Sequence, residues 1–330
     1  MPRRTAILAA TGTLTVGAAL TPSIPAAAAT PDAKPKAATS NTAATPKAQV
    51  LGTPTAKAAS LPTVGPWQAT GSYLVSSIFQ NQGLATVRAL GGSHLWYTGN
   101  VVAPDAQLKG WNHVGDPDFS HGYVVEPYQS GAATPTSKMF RVYDTAHGFR
   151  SSDFVHKLVP GEAMNNSFAA VSRDGQWLVS GEWETENRLL ITPMPRVNKS
   201  AADPSKDLPL TGRVVLDKPV RNVQGCVFTT ATRLVCSSDD ANGIVGGVVR
   251  PLLQIDLANE PDGRDVAGKV TALGRIPLVS ACQADAQHSF ETEGLDYDSA
   301  TGVLRVEVVQ PGLCIPLTTV WEFKSRTLGS

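Results

Sequence analysis

Nine side chains able to bind a ligand or move a proton recur at matching points of the chain: Gln82, Asn112, His113, Asn165, Asn166, Asn222, Gln224, Glu291 and Glu293. They fall in segments headed by Asn, Gln or Glu that then turn to small or apolar residues: "QNQGLATV", "NHVGDPDF", "NNSFAAVS", "NVQGCVF" and "ETEGLDYD". Amides donate and accept hydrogen bonds but seldom do acid–base work, so the set reads first as a binding surface. Oxygen donors from Asn, Gln and Glu suit calcium rather than a transition metal. His113 suits calcium poorly. As the side chain type that titrates nearest neutrality, it is the candidate catalytic residue if the protein is an enzyme. A structural reading stands beside this one, in which polar groups at strand starts bond neighbouring backbone and buried water.

These residues run from position 82 to position 293, and a ring of repeated units would gather them around one axis. The repeat is legible. In "SFAAVSRDGQWLVSGEW" apolar residues alternate up to a tight Asp-Gly turn and then return. "RLLITPMP" supplies a third strand and "GRVVLDKPV" a fourth, and the same order recurs from "NVQGCVFTTATRLVC" onward. Such four-stranded meanders indicate an all-β fold, a β-propeller of five blades, or six or seven if units have been merged. A ring of meanders buries faces that one meander cannot. "GSYLVSSIF", residues 71–79, is the N-terminal strand expected to close the last blade. The alternative architecture is a β-sandwich, which lacks the fourfold grouping. In the propeller, "WNHVGDPDFSHG", residues 111–122, becomes an inner strand with its turn. Its two histidines then lie at opposite ends.

"EGLDYDSATGVLRVEV" resembles the E-G-x-x-[WYF]-D … G-x-L blade opening of the gluconolactonase- and paraoxonase-like secreted calcium propellers. The likeness covers about one blade. It implies a calcium-binding, lactonase-type fold in which the leading Glu, here Glu293, holds the metal. That family also uses Asn and Asp ligands in later blades, and Asn166 and Asn222 are candidates by position. Its members are usually six-bladed.

"MPRR", an apolar run and "TPSIPAAAAT" read as a secretory signal peptide over residues 1–29, the alternative being a membrane anchor. Residues 30–66, rich in Ala, Thr, Pro and Lys, read as a disordered leader, leaving 67–330 as one propeller domain. Export and an even cysteine number point to disulfides: Cys226 with Cys236 across a hairpin, and Cys282 with Cys314 by elimination. A four-thiolate zinc site is the alternative, although no C-x-x-C occurs.

Lys+Arg 28 balances Asp+Glu 28, which argues against a nucleic-acid partner. No "HExxH", "GxSxG", "GxGxxG" or "GxxxxGK[ST]" is present, leaving zincin, α/β-hydrolase, Rossmann and P-loop chemistry unsupported. Glu182, Glu184 and Glu186 alternate along an extended segment and would share a face, as paired carboxylates of a glycosidase or as a solvated loop. Trp111 and Trp183 could pack in the core or stack on sugars at blade rims. The expectation is therefore a secreted, monomeric, non-catalytic propeller. It would have no membrane span once the signal is removed, and it would present a polar channel mouth to a small molecule, a glycan or an extracellular protein. The alternative is a calcium-dependent hydrolase or lyase of the lactonase-like type.

Overall fold

A computed structural model describes residues 61–89, 91–197, 207–280 and 289–326, all within the compact unit Ala58–Ser330. The strands form blades around one axis. Blade 1 is a hairpin of β3 (Gly83–Ala89) and β4 (Gly92–Thr98). In blade 2, β5 (Trp111–Val114) and β6 (Asp118–Ser120) share the inner position. They pair with β7 (Tyr123–Ser130), followed by β8 (Ser137–Asp144) and β9 (Arg150–Lys157). Blade 3 runs from β10 (Ala170–Val171) through β11 (Trp177–Ser180) and β12 (Thr185–Pro193) to β13 (Gly212–Arg221). Blade 4 comprises β14 (Val223–Thr230), β15 (Arg233–Ser238), β16 (Pro251–Leu257) and β17 (Val266–Arg275). Blade 5 comprises β18 (Glu291–Asp298), β19 (Val303–Val309) and β20 (Leu317–Ser325).

The ring closes as expected. The N-terminal strand β2 (Trp67–Ser76) pairs antiparallel with β20, with Ser72 opposite Trp321 and Tyr73 opposite Val320. A short strand β1 (Thr63–Val64) extends that sheet, so pairing begins inside the segment expected to be leader. The inner strands contact one another in a full circle, β3 to β6 to β10 to β14 to β18 and back to β3. That circle is what defines a five-bladed β-propeller and is incompatible with two facing layers.

Two features depart from a uniform four-strand repeat. Blade 1 stops at two strands, because residues 99–110 carry a single helical turn, Pro104–Gln107, and hold no second alternating hairpin. The outermost strands of blades 3 and 4 pair in parallel, Val214 opposite Val266 and Leu216 opposite Gly268. Gly268 permits this, since a Cβ there would run into Val214. One continuous sheet results, spanning both blades.

Alternation along the strands places apolar residues between blades. Val179, Ile191, Phe228, Leu253 and Ile255 join blades 3 and 4. Val235, Leu252, Leu304, Val306 and Phe323 join blades 4 and 5. The truncated blade 1 buries Leu84 and Val87, packs Trp96 on Tyr143 and Phe149 of blade 2, and adds polar contacts: Thr86 Oγ1 donates to Asp296 at 2.5 Å and Trp96 Nε1 donates to Glu126 at 2.8 Å. Cys226 and Cys236 lie directly opposite in the β14–β15 hairpin and are disulfide-bonded. Cys314 is also disulfide-bonded; Cys282, its expected partner, lies outside the described residues. Among the described residues no helix is long and apolar enough to cross a membrane.

Candidate functional site

The channel is sealed at its waist. Asp116, between β5 and β6, is fully buried and touches every blade. Its backbone N–H donates to Ser167 O at 2.6 Å, and its carbonyl accepts from Ala169 N at 3.0 Å. Its carboxylate accepts Leu84 N at 3.1 Å and Leu295 N at 3.2 Å. Gly83, Gly225 and Gly294 face it, and a Cβ at any of them would overlap it. Burial, opposed by those N–H groups, pushes its pKa well above the usual carboxylate range. Each inner strand therefore has a starting mouth and a far mouth, with Asp116 between.

The starting mouth holds a cavity of about 380 Å³ built from all five blades. Of the nine residues expected there, seven line it: Gln82, His113, Asn165, Asn222, Gln224, Glu291 and Glu293. Asn112 and Asn166 do not, and the pleat explains why. Successive side chains on an extended chain point to opposite faces, so an adjacent pair cannot both face the channel. Asn112 sits at an irregularity in the β5–β7 pairing, is exposed and packs against Gly131 outside the channel. Asn166 is buried and donates to the carbonyls of Tyr128 at 3.1 Å and Met139 at 2.9 Å. The pairs spaced by two, Asn222 with Gln224 and Glu291 with Glu293, stay together.

Three further residues line this cavity: Gln129, Trp183 and Asp239. Each comes from the end of a second strand or the residues just after it, in blades 2, 3 and 4. An antiparallel hairpin returns its end to the mouth where it began; His113 is paired with Gln129 across β5 and β7. Gln129 donates to Asn165 at 2.5 Å, and Asn165 in turn donates to Ser167 at 3.2 Å. Trp183 is 50% exposed at the rim. Trp111 is not at a rim; it is buried in a core cluster beneath blade 2.

The acids of this mouth are crowded. Burial, with repulsion from Glu291, Asp239 and Glu307, drives the Glu293 pKa well above its ordinary value. Burial and then Asp239 raise Glu291, against the pull of Arg250. Burial also raises Asp239, although it receives Arg250 Nε at 2.7 Å and Thr292 N at 3.0 Å. Burial lowers the pKa of His113. The Asn222 Oδ1 is buried without a hydrogen-bond partner among the described residues.

A calcium set of Glu293, Asn166 and Asn222 fits only in part. Glu293 and Asn222 face one cavity, whereas Asn166 is turned into blade 2. Among the described residues no group of three or more His, Cys, Asp or Glu side chains is arranged to hold a metal ion. Nor do Glu182, Glu184 and Glu186 share a face. Glu182 pairs with Arg188, Glu184 pairs with Arg221 at the surface, and the carboxylate of buried Glu186 accepts Glu182 N at 2.7 Å.

No protein-family model and no curated protein sequence matches the chain. Among solved structures, the chain is similar to a glycosyl hydrolase from Bacteroides ovatus, with 11% identity over 76% of this chain and 84% of that one, at a TM-score of 0.41. A bifunctional GH43-CE protein of Bacteroides eggerthii shares 12% identity over 75% of this chain and 31% of its own length, at a TM-score of 0.33. The propeller assignment rests on the strand pairing and the closed ring of inner strands.

Proposed function

We propose that this is an exported propeller that binds a small hydroxyl-rich ligand of the carbohydrate class at the starting mouth. The observation that carries the reading is convergence. Five amide side chains, Gln82, Gln129, Asn165, Asn222 and Gln224, meet in one cavity with a half-exposed Trp183 at its rim. Each amide offers both a donor and an acceptor, as each sugar hydroxyl does, and an indole face covers the apolar face of a pyranose. A concave cavity with convergent polar groups is where a ligand of this size is held. The signal-like N-terminus and the Cys226–Cys236 disulfide support export.

Isothermal titration against a panel of mono- and oligosaccharides tests this. At least one sugar is expected to bind saturably. Trp183→Ala should weaken it about tenfold, the equivalent of ~1.4 kcal/mol, without changing the melting temperature. Absence of binding across the panel, or binding indifferent to Trp183→Ala and Gln224→Ala alike, would remove the proposal.

A hydrolase or lyase is the second reading, and a separate observation favours it. Burial raises the Glu293 pKa and lowers that of His113 within the same cavity, the directions that suit a general acid and a general base. Turnover on a lactone and glycoside panel should then vanish in both His113→Ala and Glu293→Gln while sugar binding persists. Turnover that survives His113→Ala ends this reading. Calcium belongs to it through Glu293 and Asn222 alone, and a melting shift on adding calcium, abolished by Glu293→Gln, is the corresponding test.

A further inference from the structure

The far mouth holds a second cavity of about 310 Å³, on the other side of Asp116 and also drawn from all five blades. Its charged lining is Arg88, Asp118, His121, Arg173, Asp296 and Asp298. The acids there already have donors. Asp118 accepts Phe119 N and Val171 N, each at 2.7 Å. Asp296 accepts Thr86 N at 2.9 Å and Arg305 Nη1 at 3.0 Å. Asp298 pairs with Arg88 and also accepts Ala300 N at 3.1 Å and Thr301 Oγ1 at 2.6 Å.

The donors are not all committed. Arg173 makes no hydrogen bond or ion pair among the described residues. His121 bonds Ser120 Oγ through Nδ1 at 2.8 Å, and its Nε2 makes no hydrogen bond among the described residues. The turn holds this ring in place. His121 has φ 52° and Gly122 φ 83°, a conformation that usually selects Asn or Gly at the first position. The imidazole packs against Gly175, in the same turn as Arg173, where a Cβ would strike it. A guanidinium without a hydrogen bond, its charge acting on Asp118 only at a distance, and an imidazole nitrogen thus line one cavity whose carboxylates already have donors.

We infer that the far mouth is a second ligand site, taking a small oxyanion, a carboxylate or a phosphate, on Arg173 and His121. The guanidinium fork matches either anion. Asp118 offers limited repulsion, since burial raises its pKa to about 7. The Asp116 seal makes this site separate from the starting mouth, so the inference does not depend on the carbohydrate reading.

The test is titration of the whole protein with inorganic phosphate and, separately, with malonate, against chloride at equal ionic strength. Saturable binding of at least one anion is expected, weakened about tenfold or more by Arg173→Gln and by His121→Ala. It should be unchanged by Arg150→Gln, at an exposed arginine on β9, and by Trp183→Ala. Phosphate binding alone assigns a phosphate ligand, and malonate binding alone assigns a carboxylate. No saturable binding of either overturns the inference, as does binding that persists in Arg173→Gln or falls equally in Arg150→Gln. Arg173 is exposed, so loss of the fold is not expected to confound the result; circular dichroism of each variant checks it.

Discussion

Gly294 follows the motif glutamate, and its missing side chain has a physical cause at the propeller axis. A Cβ there would overlap both the Asp116 carboxylate and the Gly83 backbone, where inner strands of blades 1, 2 and 5 cross. Gly294→Ala should therefore cost ~3 kcal/mol or prevent folding, because backbone rather than a movable side chain is in the way. Urea unfolding of the variant measures this, and a loss below ~1 kcal/mol would mean that the waist is looser than these contacts require. The same scale explains which site residues were legible. Spacing by two reliably puts Glu291 with Glu293 and Asn222 with Gln224 at one mouth. Adjacent pairs do not, and Asn112 and Asn166 are the members turned away.

At the scale of elements, the hairpin is the unit that positions function. Its first strand starts at the mouth and its second returns there, which is how Gln129, Trp183 and Asp239 reach a cavity that strand starts alone did not reveal. The turn chemistry that builds these hairpins is local, and Asp-Gly at Asp174–Gly175 or the cross-strand Cys226–Cys236 pair can be read directly. Closure is an element-scale property too. Strand β2 pairs with β20 along nearly its whole length, and without it β20 would be an exposed edge. A variant lacking Thr63–Ser76 should lose its cooperative thermal transition and associate through β20. Calorimetry and size-exclusion chromatography check both outcomes, and a sharp, monomeric transition would show that the ring holds without its closing strand.

At the scale of the whole molecule, buried carboxyls tie stability to pH. Burial lifts Glu186 to about 8 and Asp118 to about 7. An acid whose pKa is higher folded than unfolded contributes stability that is complete below its unfolded pKa. That contribution is lost as the pH climbs through the folded value. Glu162 has the opposite sign. Burial opposes ionisation, but the His156 hydrogen bond and the Lys138 charge outweigh it and hold the acid at about 2. Its contribution is present above the unfolded pKa and is lost as the pH falls toward 2. Stability should accordingly peak near about pH 4 to 4.5 and decline by several kcal/mol by about pH 8. Glu186→Gln should flatten the alkaline limb. Melting curves across that range test it, and a melting temperature that rises steadily with pH would contradict the burial of these acids.

The sequence by itself determined the class of fold, the blade order, the closing strand, the Cys226–Cys236 hairpin and most of the starting mouth. All of these follow from periodicity and turn residues, which act over a few positions. Only the tertiary structure decided that blade 1 stops at two strands, that blades 3 and 4 share an edge, and that Asp116 divides the channel. It alone showed which donors at the far mouth remain uncommitted. Those facts depend on contacts between strands far apart in the chain, and no local pattern encodes how closely five inner strands can approach one axis.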